Sequence, residues 1–418
     1  MITILSFFIL LALGAPIAFV LIAVSLVLIF EGGDTVLFQG FPQQLFAGIE
    51  SYSLISLPLF ILLGELMSAG GIGRRLLRFA EALLPPMRAG LAYVNLLANL
   101  MMASILGSTV AQLTVMSRLA VPEMERAGYP RDLSTTLTAA GGLLAPLLPP
   151  SMNLIVFAAI AQLPVADLFI AAIVPGVITA LAFAAVIAWL GWRLNLPKVA
   201  AHTSHHRVRA CWDALPALSI PVIAVGSILG GIATPTESAA LASLAALIVG
   251  GFVYRDLRLS DLPQALARTA KTSGAVLYLI AAAQVLSWVI TFGNLPAAAA
   301  MAIQNIAQGP FMFLILLNIL LLVLGMVLEP IPAIILTAPV LLPVAITVYG
   351  IDPIAFGVIL CLNLALGLLT PPVGAGLYTA ALLTGVRAGR LSQLLIPFFV
   401  ATVLVLIGLT VMAAFHAT

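Results

Sequence analysis

The chain has 418 residues, of which 63% are hydrophobic and only 8% charged, with a mean hydropathy of +1.22. A water-soluble domain is nearer half apolar and a quarter charged, so this composition excludes one and points to an integral membrane protein. The net charge of +2 supports no nucleic-acid partner, and the two cysteines, Cys211 and Cys361, support neither a disulfide framework nor a metal cluster.

Most apolar segments run for 18 to 30 residues. That suits helices crossing a hydrocarbon core of roughly 30 Å and is too long for barrel strands. The expected fold is therefore an all-α polytopic membrane protein in contact with lipid, with about 11 spans. The first thirty residues lack a basic start and a small-residue cleavage site, so they read as one retained helix. Residues 1–88 form a first group of helices, predicted to be scaffold.

The 17 Lys and Arg residues fall in clusters, and none precedes Arg74. Basic loops that face the cytoplasm fix how many crossings lie between them. Residues 89–121 lie between two such loops, so they must enter and return; the expectation is a re-entrant hairpin with its tip at Gly107 to Thr109. Residues 133–163 then cross outward, and 168–192 return to a basic loop flanked by Trp189, Trp192 and Trp212, which read as interfacial anchors. Together 89–213 make a first repeat.

Residues 214–310 hold an out-and-back pair, 214–233 and 237–254, and an outward span, 273–293. No Lys or Arg follows until Arg387, so 311–349 reads as a second hairpin, entering from the opposite side. Residues 354–385 cross inward and 391–415 form the last span, completing a second repeat over 311–418. The pattern predicts a cytoplasmic N-terminus and a periplasmic C-terminus.

The two repeats also match in sequence. LLAPLLPPSMNLIVFAA (143–159) aligns with ALGLLTPPVGAGLYTAA (365–381), Ile105-Leu106-Gly107 with Val323-Leu324-Gly325, and Tyr129 with Tyr349. Copies that enter from opposite sides mark a secondary transporter built on an inverted repeat.

A continuous helix over 133–163 would be roughly 45 Å long, well beyond the hydrocarbon core. Pro146, Pro149 and Pro150 bar it by removing backbone donors, as Pro371 and Pro372 do in 354–385. Carbonyls freed in lipid must line a cavity or bind something, and they are hard ligands suited to a small cation. Thr370 is expected to cap a restarted half-helix with Pro371 at its first position, and Ser151 and Asn153 to serve similarly in the first repeat. Each restart would aim a positive dipole end at an anionic group.

Among other polar residues, Thr234-Pro235-Thr236-Glu237 has the grammar of a helix start, with Glu237 as part of the cap. Glu329 lies near the second hairpin's tip, where an intramembrane carboxylate or one reaching an aqueous cavity is expected. Glu65 and Arg118 sit near cytoplasmic ends and read as paired or snorkelling. His202, His205 and His206 lie in a basic loop with only Asp213 near, which argues against a metal site. No nucleophile–base pair, phosphate loop or clustered titratable pair argues for an enzyme.

These motifs resemble the large membrane subunit of the tripartite ATP-independent periplasmic (TRAP) transporters, the DctM-type permease, within the wider ion-transporter superfamily. The resemblance runs nearly end to end. It includes Gly14-Ala15-Pro16-Ile17-Ala18, SLPLFILLGELMSAGGIGRRL (56–76), VPEMERAGYPRD (121–132), ATPTESAALASLAALIVGGFVYRDL (233–257), EPIPAIILTAPVLLPVA (329–345) and, most specifically, GIDPIAFGVILCLNLALGLLTPPVG (350–374). It implies an elevator-type carrier of a bacterial inner membrane, with a DctQ-type small membrane subunit and a DctP-type periplasmic solute-binding protein as partners. It implies Na⁺-coupled uptake of a small organic acid such as a C4-dicarboxylate or sialic acid, with Na⁺ as coupling ion and no other cofactor. A carrier of the same superfamily working without a binding protein is the alternative.

By position, the resemblance places one cation site at Ser104, Gly107 and Ser108 with backbone at Ala145, Leu148 and Pro149. It places a second at Gly325, Gly367, Thr370 and Val373. Substrate would lie between them, at Thr109, Ser151, Asn153, Pro371 and Gly374. The family's first tip usually reads Ser-Gly-Ser with an Asp four residues on; here Leu106 precedes Gly107-Ser108, and Gln112 stands where the Asp is expected.

Overall fold

A computed structural model describes residues 2–33, 35–85, 87–197, 204–293, 300–301 and 303–417. Among them the chain is helical throughout, with no strand. Seven helices are each long and apolar enough to cross a membrane, and the remaining apolar sequence is divided among shorter helices. The large side chains left exposed, such as Phe30, Ile232 and Leu382, are apolar and suit a surface whose solvent is lipid.

The apolar N-terminus is not the single helix expected. It forms α1 (Ile2–Ala12) and α2 (Ile17–Gly32), which pack against each other. Gly14 at φ 74° turns the chain, and Pro16 can only stand at the edge of the next helix because it has no N–H to donate. After α3 (Leu37–Ala47), α4 (Ser56–Ala69) and α5 (Ile72–Leu83) meet at a bend of 72°.

The first hairpin is α6 (Gly90–Leu106) and α7 (Thr109–Arg126), and its tip falls within the expected Gly107 to Thr109. The helix expected over 133–163 is broken into α8 (Arg131–Gly142) and α9 (Met152–Ala161). α10 (Val165–Arg193) follows, with Trp189 and Trp192 exposed near its end and the Arg193 guanidinium 5.1 Å from the Trp189 ring centre.

α11 (Ser204–Pro221) continues through a π-helical turn to Leu229, and α12 (Pro235–Ile248) opens on a complete capping box between Thr234 and Glu237. α13 (Leu262–Phe292) is the longest helix and packs on α2, α3 and α4. His202 and the side chains of His205 and His206 lie outside the described residues.

The second hairpin is α14 (Pro310–Val327) and α15 (Pro330–Thr347), and the second broken helix is α16 (Pro353–Leu368) and α17 (Ala375–Thr384). α18 (Ala388–His416) ends the chain with 29 residues, the same length as α10. The repeat offset is 221 positions at Thr109 and Pro330, the starts of the second hairpin arms, and 223 at Met152 and Ala375, the starts of the second half-helices.

Packing between the repeats is crossed and reciprocal. Each hairpin packs on the first half-helix of its own repeat, α6 and α7 on α8, α14 and α15 on α16. The second arm of each hairpin reaches the second half-helix of the other repeat, α7 to α17 and α15 to α9. α10 and α18 run against each other, and each touches the opposite repeat's first half-helix. Aromatic pairs fill these seams: Phe157 of α9 lies 6.1 Å from Phe356 of α16, and Phe183 of α10 meets Phe398 of α18 edge to face at 5.4 Å.

Phe157 is fully buried between the repeats. Phe157→Ala should cost about 3–5 kcal/mol, read as a lowered thermal midpoint of the detergent-solubilised protein. Truncating an exposed, lipid-facing residue such as Leu382 should leave that midpoint nearly unchanged.

Candidate functional site

Both hairpin tips are seated on the helix breaks, and in each case a backbone hydrogen bond makes the joint. The Met152 N–H, at the start of α9, donates to the carbonyl of Gly107 at 3.3 Å; the Gly374 N–H, just before α17, donates to the carbonyl of Met326 at 2.8 Å. Glycine makes both approaches possible. A Cβ on Gly107, at φ 57°, would lie 2.6 Å from the Pro150 carbonyl oxygen, and one on Gly367 would lie 2.6 Å from the carbonyl carbon of Gly325.

The first break, residues 143–151, is buried throughout. Ser151 caps α9, accepting from the Leu154 N–H at 3.3 Å while its hydroxyl donates to the Pro146 carbonyl at 2.6 Å. Among the described residues nothing donates to the carbonyls of Ala145, Leu148 or Pro149. The Gly107 tip sits against the same break, at Pro150 and Met152. Ser108 stands at the start of α7, and Ser104 is half-buried in the last turn of α6.

The second break departs from expectation. Thr370 does not cap the restarted helix; its hydroxyl donates back to the Leu366 carbonyl at 2.7 Å, and α17 begins only after Gly374. The reason is steric. Thr370 and Pro371 each precede a proline, which pushes both out of the α region, so no helix can restart until Pro372 is past. Gly374 at φ 37° then turns the chain, 2.7 Å from the Thr370 carbonyl oxygen for any Cβ placed there. Gly325 and Gly367 are buried together, whereas Pro371, Pro372 and Val373 are exposed. The Pro149-Pro150 and Pro371-Pro372 peptides are both cis.

A cavity of about 1040 Å³ lies beside these joints. Ser108, Thr109, Met152, Asn153, Glu329 and Pro330 line it, which brings the N-termini of α7, α9 and α15 to one space. Thr109 is buried with its hydroxyl unpartnered. Of the residues expected near substrate, Thr109 and Asn153 reach this cavity; Ser151 lies beneath as the cap, and Pro371 and Gly374 do not line it.

The outer wall is basic: Arg74, Arg118, Arg268 and Lys271 face Glu65 and Glu329. Glu65 pairs with Arg268 at 3.6 Å, and Arg118 and Lys271 form no ion pair among the described residues. Three helix N-termini and an excess of positive charge make the space attractive to an anion.

Sequence reading passed over an amide network behind the first tip. Gln112 is fully buried, and its Nε2 donates to the Asn99 carbonyl at 2.9 Å, to Asn99 Oδ1 at 2.8 Å and to the Gly141 carbonyl at 3.2 Å. Asn99 in turn donates to Asn95, and Asn95 to Thr138 at 3.0 Å, so α6, α7 and α8 are tied together. A carboxylate at position 112 could not donate. Asn318, Asn363 and Thr410 make a smaller network joining α14, α16 and α18. The only signal in sequence is that these amides sit in otherwise apolar helices.

The family model for the tripartite ATP-independent periplasmic transporter DctM component matches residues 4–415. The chain belongs to this family. Over 363 residues it is 37% identical to the 2,3-diketo-L-gulonate TRAP transporter large permease protein YiaN of Escherichia coli (strain K12), covering 87% of this chain and 85% of that protein. Over 371 residues it is 35% identical to the C4-dicarboxylate TRAP transporter large permease protein DctM of Pseudomonas aeruginosa, covering 89% and 87%. In fold it resembles the crystal structure of the YdaH transporter of Alcanivorax borkumensis, with a TM-score of 0.72 at 15% identity over 96% of this chain and 97% of that one. The resemblance read from the motifs thus holds, and this DctM chain is a multi-pass membrane protein of a tripartite transport system.

Two substitutions probe the site. Gly367→Val should push the second hairpin off its break, since the new Cβ meets Gly325 backbone at 2.6 Å, with membrane insertion retained and the thermal midpoint lowered. Gln112→Asp should cost about 1–3 kcal/mol because it leaves Asn99 and the Gly141 carbonyl without their donor; unfolding in detergent would register it, and Gln112→Glu should behave the same way.

Proposed function

We propose that this DctM chain is the large permease subunit of a Na⁺-coupled importer of a small organic acid in a bacterial inner membrane. A periplasmic solute-binding protein delivers the substrate, and a small membrane subunit completes the transporter. The N-terminus is cytoplasmic and the C-terminus periplasmic. One observation carries the reading: two hairpin tips sit on two helix breaks, the first with carbonyls that no described group donates to, beside a basic cavity on which three helix N-termini converge.

Bare carbonyls suit Na⁺, and the cavity suits a carboxylate. The cation residues are those at the two joints, Ser104, Gly107, Ser108, Ala145, Leu148 and Pro149 at the first and Gly325, Gly367, Thr370 and Val373 at the second. Thr109 and Asn153 meet the solute. The two relatives compared are named for 2,3-diketo-L-gulonate and for C4-dicarboxylates, both carboxylate anions. That supports an organic acid as the class and leaves the individual acid to the binding protein's choice.

The crossed packing supports a movement of the transport core as a unit. Hairpins and broken helices α6–α9 and α14–α17 interlock across the repeats and would travel as one body, in the manner of an elevator. Helices around α2, α4, α12 and α13 would form the fixed support.

Uptake of a radiolabelled organic acid into proteoliposomes tests this, using this chain with its small subunit and the loaded binding protein. Uptake should collapse when the inward Na⁺ gradient is removed, and uptake unchanged without it would overturn the coupling. Gly374→Leu should reduce uptake to background while the protein still inserts, since its side chain would collide with the Thr370 carbonyl.

A further inference from the structure

A second cavity, of about 610 Å³, lies between α5, α6 and α7, and the transport reading does not use it. Arg74, Arg78, Arg118 and Arg126 line it, with Glu81 and Glu123 the only carboxylates among the described residues. Arg126 is neutralised by Glu123 at 2.8 Å, and Arg74 lies 4.0 Å from Asp256. Arg78 and Arg118 form no ion pair among the described residues. Unmatched positive charge therefore gathers at one place, with room for a phosphate-sized anion.

The shape of α5 indicates where that anion comes from. The helix turns 72° away from α4. Ile72, Leu76 and Ala80 are buried on one face, while Arg74 and Arg78 are exposed on another. Arg75, between them, is fastened inward by Asp256 at 2.5 Å and by the face of Tyr254 at 3.7 Å. The apolar face of α5 packs on α6 and α11, so its exposed basic face is turned away from the core at the end of a span. Apolar side chains, Leu77, Leu91 and Val94 among them, line the cavity beside its arginines. The basic clusters mark this end of the bundle as cytoplasmic, the side where anionic lipids attract basic segments.

We infer that the cavity between α5, α6 and α7 binds the phosphate headgroup of one anionic phospholipid of the phosphatidylglycerol type. The phosphate lies against Arg78, Arg118 and Arg126, and the acyl chains leave past Leu77 and Leu91. The lipid would bridge α5 and the first hairpin. Arg74 and Arg118 also line the larger cavity, so the headgroup would draw two of its basic residues toward the membrane surface. This inference stands on the lipid-facing architecture and not on the identity of the transported acid, and its test reads binding without transport.

The purified full chain, delipidated in mild detergent, is titrated with phosphatidylglycerol, phosphatidylcholine or inorganic phosphate, and bound lipid is counted by native mass spectrometry. Phosphatidylglycerol should be retained in preference to phosphatidylcholine. Arg78→Gln/Arg126→Gln should weaken that retention roughly thirtyfold, two arginines at about 1 kcal/mol each, with the lipid-free thermal midpoint unchanged. Arg78→Lys, which keeps the charge, should bind nearly as the unaltered chain does. Equal retention by the double variant, no preference between the two lipids, or loss of binding in Arg78→Lys would each overturn the proposal. Displacement of phosphatidylglycerol by equimolar inorganic phosphate would overturn the lipid assignment in favour of a soluble anion.

Discussion

A backbone polar group within a bilayer has no water to turn to, so a helix broken there must find its partners inside the protein. The two joints in this chain are built around that constraint. Gly107 and Met326 each present a carbonyl at a hairpin tip, and each accepts the N–H at the start of a resumed half-helix. The tips are held where the breaks need them, and glycine at 107, 325 and 367 lets backbone meet backbone with no side chain between. Among the described residues no donor competes for the carbonyls left over at the first break, and they are hard oxygens of the kind the proposed cation needs.

The rest of the architecture keeps the two joints together. Each hairpin's second arm packs on the other repeat's second half-helix, so neither joint can shift without disturbing its partner. Buried amides reinforce this: Gln112 ties three helices of the first repeat, and Asn363 draws α16 onto α14 through Asn318. Amides suit the purpose because they donate and accept without carrying charge into an apolar interior. The joints still differ. The first break is buried throughout, whereas the second exposes Pro371 to Val373, an asymmetry that nearly matching Pro-Pro motifs do not announce.

Much of this was legible in order along the chain. The basic clusters and apolar lengths placed both hairpins, with tips at Gly107 and next to Glu329, whereas the helices expected to begin at 214 and 273 begin at Ser204 and Leu262. The paired prolines marked both breaks, and Thr234 to Glu237 spelled out its capping box. Thr370 was misread as a cap because a threonine before proline looks like a helix start, although a second proline forbids the helix from resuming there. The first thirty residues were misread as one helix because hydropathy outweighed Gly14 and Pro16.

What the sequence determined by itself was the set of local rules: where helices are apolar enough to span, where proline stops them, where glycine turns them, and which loops carry positive charge. Those are properties of a residue and its near neighbours, and they repeat at an offset near 221 positions with little need of context. Only the tertiary structure decided which carbonyls stay bare, which tip meets which break, and which arginines face a common cavity. These depend on groups far apart in sequence, such as Gln112 with Gly141 or Gly325 with Gly367, whose approach is set by packing across both repeats.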